Sequence, residues 1–141
     1  MTWCPFHLAF PVVDLERTRS FYVDVLGCAV GREAESWIDF DLMGHQISAH
    51  VRPEECVQTH TNAVDDDQVP VRHFGCVLDM PSWRSLRRRL EAHQVDFIIP
   101  PKIRFVGEVG EQATMFLRDP SGNAIEFKAF ADSARLFARD D

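Results

Sequence analysis

A pattern stated twice constrains this chain more than anything else in it. "FHLAFPVVDLERTRSFYVDVLG", Phe6–Gly27, places a histidine in an apolar run that stops at an acidic residue and continues as a helix pattern. "RHFGCVLDMPSWRSLRRRLEAHQ", Arg72–Gln94, repeats that order around His73. A buried imidazole without a partner costs about 1–3 kcal/mol, so two histidines at equivalent places in a repeat point to a shared task.

The rest of each half follows suit. Pro5–Val12 predicts a strand, and Asp14 caps a helix over Leu15–Leu26 with Gly27 as its stop. Its stripe of Leu15, Thr18, Phe21, Tyr22, Val25 and Leu26 has helical spacing. Strands are expected over Cys28–Arg32, Ser36–Asp41 and His45–Arg52, with Gly44 in the turn before the last. Pro53–Pro70 is polar, proline-bounded and aperiodic, which predicts a linker, either lid or tether. The order then restarts. Arg72–Met80 is a strand, Ser82 caps a helix with Trp83, Leu86 and Leu90 inward, and strands follow over Asp96–Pro100, Lys102–Val106, Gln112–Leu117 and Asn123–Phe130. Asp119–Gly122 turns the chain into the last one. The organisation expected is α+β: a first βαβββ module over 1–52, a linker over 53–70, a second βαβββ module over 71–130 and a tail over 131–141, together one compact domain. Paired modules give a half-open, barrel-like sheet with helices outside and a central metal cleft.

Strand alternation sorts the side chains into faces. Phe6, Leu8 and Phe10 lie under the helix, and His7, Ala9 and Pro11 lie opposite. In the second half His73 and Gly75 take that opposite face. The small residue two positions after each histidine leaves space over the imidazole. On the last strands, Gln46, Ser48 and His50, and Ala124, Glu126 and Lys128, share the cleft side. The pattern therefore directs His7, His73 and Glu126 to one surface with His50 nearby. Two imidazoles and a carboxylate form a facial triad for Fe(II) or a similar divalent ion (Mn, Zn, Ni or Co), with positions left open for substrate and O₂. Arg104, in "KIRFVGEVGEQ", is expected to rim the cleft and meet a carboxylate or phenolate.

Charge narrows the partners. The net charge is −7; residues 1–70 hold 4 basic and 12 acidic residues (−8), and residues 71–141 hold 11 and 10 (+1). An acidic surface repels phosphate backbones, so nucleic acid is not an expected partner. Arg87–Arg89 read as a solvated helix face. No apolar run reaches the ~20 residues a membrane span needs. No export signal is legible, and Cys4, Cys28, Cys56 and Cys76 form no CxxC pair, so a cytoplasmic protein with reduced thiols is expected.

The two His-bearing stretches, together with "FLRDPSGNAIEFKAF", resemble the vicinal oxygen chelate superfamily of glyoxalase I, bleomycin- and fosfomycin-resistance proteins and extradiol dioxygenases. The resemblance spans Pro5–Phe130. "WIDFDLMGHQISAHV" and the segment after Arg104 look most like small bacterial proteins described as extradiol-type dioxygenases. It implies a metal on His7, His73 and Glu126, a small-molecule substrate and a homodimer. Glyoxalase I usually adds a fourth acidic ligand. Aligning Gly44 with Gly122 puts Ser48 there, with His50 one step further along the same face. The expectation is an Fe(II) dioxygenase on a catechol-like or vicinal-oxygen compound, with His50 as proton acceptor and Arg104, Gln46 and Ser48 toward substrate. The alternatives are a glyoxalase-like isomerase or thiol transferase, and a metal-free drug- or metabolite-binding protein.

Overall fold

The computed structural model describes residues 2–57, 60–64 and 66–139. Met1 of the first module, Gln58, Thr59 and Asp65 of the expected linker, and Asp140 and Asp141 of the tail lie outside the described residues. The chain forms two compact units: Met1–Gln58 with Asp119–Asn123, and Thr59–Arg118 with Ala124–Asp141.

The first unit runs β1 (His7–Val12), α1 (Leu15–Arg19), β2 (Ala29–Glu33), β3 (Trp37–Leu42) and β4 (His45–Val51). Asp14 is extended and its carboxylate accepts the Arg17 amide, so α1 starts where the sequence places it. The helix continues over Ser20–Val25 as a π-helical stretch, with the Leu26 N–H reaching back to the Phe21 carbonyl. The sheet order is β1-β4-β3-β2, with β1 parallel to β4 and the other pairs antiparallel. Phe10, Val12, Ile38, Phe40 and Ile47 are buried, and Tyr22 stacks on Phe40 with ring centroids 5.0 Å apart.

The turn Asp119–Asn123 belongs to this unit. The Asp119 carboxylate accepts the Tyr22 hydroxyl at 2.8 Å, the Asn123 side-chain amide at 2.8 Å and the backbone N–H groups of Ser121 and Asn123. Asn123 Nδ2 also donates to the Pro11 carbonyl, and the Ser121 hydroxyl accepts from Val13 N. The "DPSGN" segment is therefore a fastening as well as a turn.

The second unit contains β5 (His60–Val64), β6 (Asp67–Val71), β7 (Phe74–Leu78), α2 (Met80–Ala92), β8 (Phe97–Arg104), β9 (Gln112–Arg118) and β10 (Ala124–Phe130). Its main sheet has the order β7-β10-β9-β8, with β7 parallel to β10: the first unit's topology again. Both units are βαβββ modules. Gly44 and Gly122, which open the two last strands, both take left-handed φ, 90° and 89°, a conformation that glycine adopts without a Cβ clash. Trp83, Leu86 and Leu90 of α2 are buried, and Trp83 Nε1 donates to the Phe127 carbonyl at 2.9 Å.

Three local expectations change. The cap of α2 is Asp79, whose carboxylate accepts the Ser82 amide; Ser82 sits inside the first turn. Asp96–Pro100 and Lys102–Val106 join into one strand, β8. Pro100 and Pro101 lack N–H groups, but β8 is an edge strand and absorbs them as register shifts. The segment expected as a linker is built: Pro53–Glu55 is a turn of 3₁₀ helix and β5–β6 is an antiparallel hairpin. Strand β5 is polar and exposed along its length, so no apolar alternation announces it.

Candidate metal centre

Strand alternation works as expected on the strands that carry the candidate residues. On β10, Ile125, Phe127 and Ala129 are buried, and Glu126 and Lys128 on the opposite face are half-buried. On β1, Phe10 and Val12 are buried and His7 is exposed, while Phe6, expected under the helix, precedes the strand and is exposed.

His73 stands just before β7, and its ring makes three contacts. Nδ1 lies 2.6 Å from the Pro70 carbonyl. A carbonyl only accepts, so Nδ1 carries the hydrogen and Nε2 is the nitrogen left to bind something else. Nε2 lies 3.0 Å from Glu126 Oε2. The ring edge rests on Phe116, with centroids 5.0 Å apart and the planes at 76°. The other carboxylate oxygen, Glu126 Oε1, accepts the Thr114 hydroxyl at 2.8 Å. Thr114 is buried on β9, diagonal to Glu126 across the β9–β10 ladder.

This pairing shifts both groups. The hydrogen bond to Glu126 raises the His73 pKa, against the effect of burial. Burial pushes Glu126 up, but the His73 hydrogen bond, the Lys128 charge and the Thr114 hydrogen bond together bring it below its ordinary value. Without an ion, these shifts favour a protonated imidazole whose Nε2 donates to an ionised Glu126 carboxylate. The donor set, one imidazole nitrogen and one carboxylate, suits a divalent ion by its chemistry.

Gly75 has a different reason to be small. A Cβ there would come 1.6 Å from the backbone oxygen of Glu126, its partner in the β7–β10 ladder. The absent side chain allows the strands to close and bring Glu126 beside His73, rather than keeping room over the ring.

His7 lies in the first unit, opposite Gln46 in the β1–β4 ladder, with Ala9 opposite Ser48 and Pro11 opposite His50. Gln46 lines an open groove of about 370 Å³ with Gly31, Arg32, Asp39 and Asp41. The Ser48 hydroxyl is buried and donates to Asp39 Oδ1 at 2.5 Å. His50 is exposed on β4. Arg104, expected at a rim, has a side chain only 9% exposed, and its guanidinium donates to Asp67 of the β5–β6 hairpin at 2.7 Å. Lys102 pairs with the same carboxylate. Among the described residues no group of three or more His, Cys, Asp or Glu is gathered that could hold an ion; the pair brought together is His73 and Glu126.

The sequence reading missed Thr114, Phe116 and the hairpin. Val69 of β6 packs with Ile99 and Phe116, and Asp67 ties down Lys102 and Arg104, so the hairpin lies on the sheet face that carries Glu126. That explains why β9 is buried on both faces from Ala113 to Leu117. Part of the signal was present: in "ATMFL" one alternating set is wholly apolar and the other carries Phe116, so neither face reads as solvent-facing.

A family model for the glyoxalase/bleomycin resistance protein/dioxygenase superfamily matches residues 5–127. The chain belongs to that superfamily. It is similar to a glyoxalase/bleomycin resistance protein/dioxygenase from Alicyclobacillus acidocaldarius, at 30% identity and a TM-score of 0.78, over 95% of this chain and 96% of the other. The fosfomycin resistance protein FosX from Listeria monocytogenes shares 20% identity at a TM-score of 0.69, over 96% and 100% of the two chains. The virulence protein STM3117 from Salmonella typhimurium shares 21% at 0.63, over 93% and 99%. The latter two establish likeness of fold. Superfamily members commonly bind divalent ions and act on small molecules. No helix among the described residues is long and apolar enough to cross a membrane.

Proposed function

We propose that this superfamily member is a metal-dependent enzyme, an extradiol-type Fe(II) dioxygenase acting on a small molecule with two adjacent oxygens. Its ligands are His7, His73 and Glu126, the set implied by the sequence repeat and the superfamily. We place it in the cytoplasm as a homodimer. The observation that favours this reading is the state of Ser48. The strand registers make it the counterpart of Glu126: each is the second residue of its strand's ladder beyond the histidine's level, four residues after a left-handed glycine. A carboxylate at this position would supply a fourth ligand; here a hydroxyl stands, already committed to Asp39. His7, His73 and Glu126 would hold the ion without a fourth side chain, which suits a metal that also takes a small-molecule substrate.

The bound ion would supply Lewis acidity that lowers the pKa of the chelated oxygens and, as Fe(II), the capacity to engage O₂. The residues of the chain do the rest. The Pro70 carbonyl holds the His73 tautomer that presents Nε2. Thr114 fixes the rotation of the Glu126 carboxylate. Phe116, Val69 and Ile99 give an apolar, water-poor patch beside the pair. His50 would serve as a proton acceptor for the substrate, and Gln46 would contribute hydrogen bonds from its groove. Arg104 supports the hairpin through Asp67.

The test is metal analysis of the purified protein, followed by oxygen uptake with the Fe(II)-reconstituted form against a panel of catechols. Uptake with one O₂ consumed per ring opened is expected. Stoichiometric metal with no uptake on any catechol overturns the dioxygenase assignment.

A further inference from the structure

Lys128 has no part in the chemistry above, yet its placement is specific. It follows Glu126 by two residues on β10 and shares its face, directly across the ladder from Thr114. Thr114 spends its hydroxyl on Glu126. Glu126 is itself occupied by His73 at Oε2 and by Thr114 at Oε1. The other cations of this face, Lys102 and Arg104, are both engaged by the single carboxylate of Asp67. Lys128 is half-buried, and among the described residues no carboxylate lies within ion-pair distance of its ammonium. Its charge lowers the pKa of both His73 and Glu126. The Glu126 carboxylate on the same face is already shared between His73 and Thr114, so the Lys128 ammonium is left to pair with an anion brought to this face.

We propose that Lys128 recognises a carboxylate carried by the substrate, seating it beside the His73–Glu126 pair. This rests on the metal-centre reading and deepens it by naming a feature of the substrate: two adjacent oxygens for the ion and, a few bonds away, an acidic group for Lys128. One ammonium matches the single charge of a carboxylate. A phosphate dianion is better served by several cations or the fork of an arginine, and the nearby arginine of this face, Arg104, donates to Asp67.

The experiment uses the full-length protein loaded with redox-inert Zn(II), and two probes that chelate through adjacent oxygens whatever the enzyme's reaction: propionohydroxamate and succinomonohydroxamate, which differ by one carboxylate. Affinities are measured by calorimetry for the wild type, Lys128→Met and Lys128→Arg. The wild type should prefer the carboxylated probe about tenfold or more, the effect of one charge-assisted hydrogen bond. In Lys128→Met the preference should fall to within about twofold with the propionohydroxamate affinity kept, and Lys128→Arg should retain most of it. Absence of the preference in the wild type, or its survival in Lys128→Met, overturns the proposal. So does an equal loss of affinity for both probes in Lys128→Met, which would make Lys128 a support for Glu126 alone. If the loaded wild type binds neither probe, chelation fails and the metal-centre reading falls together with this one. Loss of the preference with chelation intact condemns this proposal only.

Discussion

His73 and Glu126 stabilise each other's charged forms, and the two shifts define a pH window. Glu126 has a lowered pKa, so its contribution is present above the unfolded carboxyl value and is lost as pH falls through the folded one. His73 has a raised pKa, so its contribution is full below the unfolded imidazole value and is lost as pH rises through the folded one. Both act together between about pH 4.5 and 6.5. Urea denaturation of the metal-free protein should show a stability maximum there, and His73→Gln should flatten it. Thr114→Val is close to isosteric and removes the hydroxyl that holds Glu126. It should leave the fold intact and weaken Zn(II) binding by about tenfold or more, measured by competition with a chelator. These roles trace to single side chains, but only His73 and Glu126 were marked in the sequence. Thr114 gives no sign of its role there, because its partner comes to it through strand register.

At the scale of elements, the β7–β10 pairing and the β5–β6 hairpin position the candidate centre. Gly75→Ala sets a Cβ 1.6 Å from the Glu126 backbone oxygen, a collision with main chain that no rotamer relieves. Loss of the β7–β10 ladder is expected, with destabilisation of about 3 kcal/mol or more; thermal melting and metal content should fall together. The hairpin is held by Asp67 and Val69. Asp67→Ala leaves the nearly buried Arg104 guanidinium without that carboxylate, a cost of about 2–3 kcal/mol. Hydrogen exchange should quicken over residues 60–71 before it quickens in β9 and β10. Uniform acceleration would show that the hairpin does not open by itself.

For the molecule as a whole, the repeat produces two units of one topology, and the "DPSGN" turn between β9 and β10 is built into the first of them. Tyr22 is fully buried, and burial together with the Asp119 charge raises its pKa, which keeps the hydroxyl protonated as a donor. Burial raises the Asp119 pKa against the hydrogen bonds it accepts from Asn123, Tyr22 and Ser121. Tyr22→Phe deletes one of those bonds and should cost about 1–2 kcal/mol. Asp119→Ala strands all the donors at once and should cost about 3 kcal/mol or more. A melting-temperature loss for Asp119→Ala no larger than for Tyr22→Phe would show that the turn is not a fastening.

Local rules determined much of this protein from the sequence. The two histidine-led strands, the Asp14 cap, the left-handed turns at Gly44 and Gly122 and the in–out alternation on β1 and β10 depend on neighbours within a few residues, and each is legible. The repeat itself gave the fold class, because a small sheet with one helix leaves its other face to be covered. Tertiary structure decided whatever depends on residues far apart in the chain. Two prolines became part of a single strand because β8 is an edge, and a polar segment became a hairpin because Val69 and Asp67 found partners in Ile99, Phe116, Lys102 and Arg104. Gly75 is small because of a backbone oxygen 51 positions later in the chain (126 − 75). Ser48 turned to Asp39 and Arg104 to Asp67 because a buried polar group takes the nearest partner that satisfies it, and only the folded chain defines which partner is nearest.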